Sequence, residues 1–203
     1  MKIFDILAGR TKPAEANLDA LFALSTAFIT LDASQGLVPT GEAGVCFKPA
    51  AGQTFARTAE EMESLLGLGG GPTKVREQTD QYGFHWVVIG TAPGASSDPG
   101  SGDPQALVNQ IHVVNSTLEE EGFGPQLLCS VFGFRPSAAG SASASVYVVY
   151  LYKRGTFYPF VPLSGREQRD VETELVLGNV LAEDLKIEKD KERWMALWEL
   201  PIH

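Results

Sequence analysis

A single α+β domain, with one mainly antiparallel sheet covered by helices, is the architecture that the pattern of residues predicts. Stretches whose apolar side chains recur at three- and four-residue steps alternate with short runs rich in β-branched and aromatic residues. The β-rich runs come in pairs joined by turn-forming linkers, which suits hairpins. One helix–strand–strand unit also occurs twice: Glu60 to Gly71-Pro72 and Asn109 to Gly124-Pro125 are both amphipathic, both close on Gly-x-Gly-Pro and both lead into a strand pair. Gly accepts positive φ and Pro favours an extended chain before it, so convergence on one way of stopping a helix explains the echo better than duplication.

Each element follows from its own residues. Asn17 to Leu24 places Leu18, Leu21, Phe22 and Leu24 on one side at helical spacing, with Asn17 as N-cap. Phe28-Ile-Thr-Leu31 and Gly44-Val-Cys-Phe-Lys48 read as two strands, with Gly36, Pro39 and Gly41 in a loop between them. A helix capped by Thr54 or Thr58 turns Ala59, Met62, Leu65 and Leu66 inward and Glu60, Glu61 and Glu63 outward, and ends at Gly67. Lys74 to Thr79 and Phe84 to Ile89 form a hairpin over Asp80-Gln-Tyr-Gly83, the second strand being central.

Residues 92–104 hold three Pro, three Gly, three Ser and two Asp and form an exposed loop. Leu107, Val108, Ile111, Val114 and Leu118 make a helical stripe from Gln105 to Glu121, stopped by Gly122. Gln126 to Phe134 and Ser145 to Tyr152 pair antiparallel around a Ser/Ala loop at 136–144. Thr156 to Val161 returns as an edge strand, because Pro159 and Pro162 lack ladder donors. A last helix spans about Glu167 to Leu185, and Trp194 to Leu200 suits strand and helix equally. The domain organisation is thus an amphipathic segment and tether at 1–16 and one α+β domain at 17–203, with loops at 92–104 and 136–144.

Composition narrows the function. With 203 residues, 44% hydrophobic and 20% charged, the chain can bury about 70% of its unfolded surface, as a soluble domain does. A net charge of −9, from 16 Lys and Arg against 25 Asp and Glu, disfavours a broad grip on nucleic acid or anionic lipid. Ile3, Phe4, Ile6 and Leu7, interrupted by Asp5 and stopped by Gly9, make too short and too charged a run for an export signal. They fit docking on a partner helix or a membrane surface, although a frayed or self-docked terminus suits so few residues better. Two distant cysteines, Cys46 and Cys129, give neither a disulfide framework nor a metal knuckle, so a reducing cytoplasm is expected.

The familiar chemistries find little support. Gly67-Leu-Gly-Gly-Gly-Pro-Thr-Lys74 looks like a phosphate loop, but it follows a helix and enters a strand, the reverse of the order that aims a helix N-terminus at phosphate. A cysteine hydrolase has only Cys129 with His112 or His85 to draw on, and Cys129 lies in an alternating strand where a packed thiol is expected. His85, His112 and His203 lack metal spacing, Glu119-Glu-Glu121 reads as a solvated helix end, and the sequon Asn115-Ser-Thr117 lies within a helix. The least bland stretch is Tyr150-Leu-Tyr-Lys-Arg-Gly-Thr-Phe-Tyr-Pro-Phe160. As a hairpin it offers an aromatic surface with a basic tip for protein recognition; equally, its rings cover the sheet beneath a helix and its cations face solvent.

Together with Asn17-Leu-Asp-Ala-Leu-Phe-Ala-Leu24, Thr117-Leu-Glu-Glu-Glu-Gly-Phe-Gly-Pro-Gln-Leu-Leu-Cys129, and Glu192-Arg-Trp194 with Trp198, that hairpin resembles PspAB, the PspA-associated protein family. The resemblance implies association with PspA-type envelope-stress proteins and a cytoplasmic setting, and it brings no assigned reaction or catalytic residue. The expectation is therefore a non-enzymatic accessory or adaptor protein that binds a protein partner of the PspA type through Tyr150, Tyr152, Lys153, Arg154 and Tyr158. No catalytic residue, metal, cofactor, nucleic acid or stable membrane insertion is expected, and the protein meets the membrane only through its partner. A small-ligand sensor with a deep apolar pocket and a cysteine-dependent hydrolase are the alternatives.

Overall fold

The sheet grows outward from one long strand. In the computed structural model, which describes residues 18–50, 55, 58, 62, 64–66, 73–91, 104–137, 145–164, 167–198 and 200–202, β1 is Leu37–Phe47. It pairs with β3 (His85–Thr91) on one side and β4 (Leu127–Pro136) on the other. β2 (Thr73–Thr79) flanks β3, while β5 (Val146–Leu151) and β6 (Thr156–Phe160) continue beyond β4. The order is β2-β3-β1-β4-β5-β6, with every one of these neighbours antiparallel. The sheet expected from alternation is present, with β3 interior and β6 at an edge. Asn17, the segment 1–16, the glycine run 67–72, residues 92–103 and 138–144 and His203 lie outside the described residues.

Two expectations near the start are overturned together. Phe28 to Leu31 is no strand: a 3-10 turn at Asp19–Ala23 runs directly into helix α1, Leu24–Gln35. Leu24, Ala27, Phe28 and Leu31 are buried at i, i+3, i+4 and i+7, a helical stripe that outweighs the β preference of Phe and Ile. Gly36, at φ 60°, ends the helix by donating to Asp32 O. The loop expected around Pro39 and Gly41 lies inside β1, where the pairing with β4 slips between Pro39 and Ala43. A bulge accommodates a proline without a donor and a glycine at φ 84°, so an interior strand passes through both.

Other elements follow their patterns. Thr58, Met62 and residues 64–66 are helical; Thr58, Met62 and Leu66 are buried, whereas Leu65 is exposed. Thr58 therefore lies within its helix. The hairpin of β2 and β3 turns on Asp80, whose carboxylate accepts from the backbone N–H groups of Tyr82 and Phe84. Helix α2, Pro104–Leu118, buries the whole stripe from Leu107 to Leu118 and passes through one wide turn before Gly122, at φ 84°, stops it. Helix α3, Val171–Leu181, is shorter than its pattern at both ends: Asp170 accepts from Thr173 N at 3.0 Å and fixes its start.

The two faces of the sheet are covered differently. On one, Val45, Ile89, Phe132, Phe134, Val148 and Tyr150 meet Leu24, Leu31, Ile111, Leu118 and Leu177 of the helices. On the other, Cys46, Trp86, Val131, Val149, Tyr158 and Phe160 meet Trp194 and Ile202. Residues 187–202 thus form the second layer, and apart from a 3-10 turn at Lys191–Arg193 their described residues are neither helix nor strand. Glycines make room for that layer: a Cβ on Gly44 would lie 3.1 Å from Ile202 Cδ1, and one on Gly133 3.2 Å from Ile202 Cγ2. The outer edge of β6 is masked as well, since Phe157 N donates to Lys186 O and Phe157 O accepts from Glu188 N.

Candidate functional site

The five residues expected to grip a partner do not share a surface. Tyr150, Tyr152 and Tyr158 are at most 1% exposed, so the aromatic hairpin is core and presents no ring to solvent. Strand alternation puts Tyr150 on the helix side, edge-on to Tyr152 at 5.2 Å and tilted against Phe157 at 4.6 Å. Tyr152 shares a short hydrogen bond with Ser130 Oγ, which accepts from Asn115 Nδ2 at 3.5 Å. Tyr158 points to the other face, stacks on Trp194 at 6.0 Å and donates to Met195 O at 3.0 Å. Burial pushes the phenol of Tyr150 up to about 12 and those of Tyr152 and Tyr158 up as well.

Lys153 and Arg154 do lie outside, on the turn closed by Gly155 at φ 60°. Arg154 is engaged: its guanidinium holds the buried carboxylate of Glu188 through Nε and Nη2, and Thr156 Oγ1 donates to the same carboxylate at 2.9 Å. Arg154, with burial opposing it and the Asp190 N–H and Thr156 assisting, holds Glu188 at about 2.

Among the described residues an exposed apolar surface lies on α3. Its core stripe is Glu174, Leu177, Gly178 and Leu181, leaving Val171, Leu175 and Val176 in solvent at 54%, 45% and 48% exposure. Glu174 belongs in that stripe because Arg169 pairs with it at 2.7 Å and Val161 N donates to it at 2.9 Å. Arg169 also donates to Trp194 O at 2.5 Å, tying the helix start to the second layer. Lys191 Nζ sits 3.3 Å from the centre of the Trp194 ring, and desolvation lowers its pKa. Arg169, Val171, Glu174, Leu175, Lys191 and Trp194 line an open recess of about 210 Å³.

None of these residues was expected at a binding site, and Trp194 entered only among the residues that carry the family resemblance. Glu174 carried the available sign, since a carboxylate three residues before Leu177 and seven before Leu181 requires a buried partner. Trp194 carried none, because its segment has no period to read.

The sheet separates the groups that a cysteine hydrolase would need. Cys129 packs under the second layer. His112 lies on α2 with its ring 4.9 Å from Phe22, and His85 packs on Phe47 at 5.6 Å, both on the helix side. Asn115 of the sequon is fully buried against the sheet. Among the described residues no three His, Cys, Asp or Glu converge as metal ligands. A second recess, about 370 Å³, is lined by Phe55, Glu77, Gln78, Thr79, His85 and Trp86. Among the described residues no helix is long and apolar enough to cross a membrane.

No curated protein and no solved structure matches the chain. The family model described as PspAB, PspA associated protein B, matches residues 1–202. A match of that extent takes in both layers and the sheet between them, and the chain belongs to the PspAB family.

Proposed function

We propose that this chain is a non-enzymatic accessory protein of envelope stress, held in the cytoplasm, that binds a PspA-type protein through the exposed face of α3. The observation that carries the reading is the solvent-facing Val171, Leu175 and Val176 on a helix whose opposite face is already filled. The family description, PspA associated protein B, supports a protein of the PspA type as the occupant. An apolar helix face beside a small recess lined in part by Trp194 suits an amphipathic helix, whose apolar side chains lie across the helix while one enters the recess. Contact with the membrane is then indirect, through the partner.

Titration calorimetry of the full chain against a purified PspA-type protein tests this. Val171→Glu with Leu175→Glu is expected to raise Kd at least about tenfold, with the unfolding midpoint unchanged because both side chains are exposed. Lys153→Glu is expected to leave Kd alone. Unchanged affinity in the double variant removes the α3 face from the reading, and absence of binding by the unaltered chain removes the partner.

The recess beside His85 supports a second reading, a small-ligand sensor, because its volume of about 370 Å³ reaches the lower end of ligand-sized pockets and its lining mixes rings with polar groups. A small molecule that raises the unfolding temperature of the unaltered chain but not of His85→Ala would favour it.

A further inference from the structure

The geometry points to Cys46 and Cys129 as a reversible dithiol–disulfide couple that closes across the two central strands of the sheet. The two residues are far apart in the chain, yet β1 and β4 place them directly opposite one another. Opposed residues of an antiparallel pair have Cβ atoms roughly 4.5–5.5 Å apart, and a disulfide needs about 3.5–4.5 Å, so closure calls for a small local adjustment. A break in the β1–β4 register lies immediately beyond, between Cys46 and Phe47, where the strand already departs from regular pairing. Both thiols are free and buried. Since the chain has 2 cysteines, an intramolecular disulfide in this protein can be only this one.

Access comes from the nature of the cover. The pair is buried in the cluster closed by Trp194 and Ile202. The segment carrying those residues contributes no strand to the sheet, and side chains hold much of it: Tyr147 OH donates to Ile202 O, Tyr158 OH to Met195 O and Arg76 Nη2 to Pro201 O. It can lift without parting any two strands. Closed, the second thiol and burial push the Cys46 thiol up and keep it unreactive.

Opened, one cysteine as thiolate attacks the S–S bond of a small-molecule disulfide and releases one reagent thiol. The other then attacks the mixed disulfide and releases the second. Two protein S–H bonds are lost and one S–S bond forms. The reagent's S–S bond is reduced to two S–H bonds, which take up the two protons and two electrons.

The test is equilibration of the full chain in glutathione redox buffers, followed by acid quench, alkylation under denaturing conditions and intact mass. The folded chain is expected to lose two hydrogens and both alkylation sites, and to regain them with dithiothreitol. Its effective thiol concentration is expected to exceed that of the chain in concentrated urea at least about tenfold. By linkage the same factor measures how far the disulfide favours the folded state. Cys46→Ala and Cys129→Ala serve as controls that cannot close. Two alkylated thiols at every buffer ratio, a disulfide-linked dimer as the main oxidised species, or an effective concentration no higher than in urea would overturn the proposal, and the urea comparison needs no variant to fold.

Discussion

Glu174 and Glu188 are buried carboxylates, each answered by an arginine and further hydrogen-bond donors. For Glu188 this has a pH signature. Its carboxyl is held at about 2 against an ordinary 4.5, so between those values the unfolded chain binds more protons than the native one and stability rises with pH. The contribution is complete above 4.5 and is lost as pH falls through about 2. Urea midpoints across that window should therefore fall less steeply for Glu188→Gln than for the unaltered chain. Glu174→Ala strands Arg169 and Val161 N together and should cost about 3 kcal/mol in urea unfolding. At this scale the sequence was least legible. It marks Tyr150, Tyr152 and Tyr158 as unusual, but an aromatic run reads alike whether its rings face a partner or a core, and the partner of a buried charge is chosen by tertiary contact.

Among the elements, α3 rests directly on Trp194. A Cβ on Gly178 would lie 2.8 Å from Trp194 Cη2, and that ring is backed by Tyr158. Gly178→Ala gains about 1 kcal/mol of helix propensity, yet it should destabilise the protein by about 1 kcal/mol net in thermal or urea unfolding, because overpacking against a held ring costs more. Where an element owned a full period, its pattern could be read: α2 from its five-residue stripe, and β3 to β6 from alternation and prolines. α1 could not, since four residues such as Phe28 to Leu31 span barely one helical turn and suit either form. The bulge in β1 was hidden for a similar reason, because Pro39 and Gly41 punctuate loops far more often than interior strands.

For the whole molecule the decisive arrangement is a sheet with helices on one face and an irregular layer on the other. Truncation after Asp190 should leave most helical circular dichroism intact while uncovering Trp86, Val149, Tyr158 and Phe160, which would appear as strong ANS fluorescence and self-association in sedimentation. The α+β sheet was readable from the sequence because local periods imply it. The second layer was not, because its order comes from the glycine hollow under Ile202 and from the side chains that hold its carbonyls.

The central position of β1 also sets a timetable for synthesis. It is the first of the six described strands to be made, but its two neighbours are the third and fourth, so a growing chain carries it with both sides open until residue 91 has emerged and with one side open until residue 136 has. The underside then stays bare until residue 202 leaves the ribosome. Nascent chains of this protein must be shielded for most of their translation, and a pause placed before residue 127 is the interval in which they are most apt to aggregate.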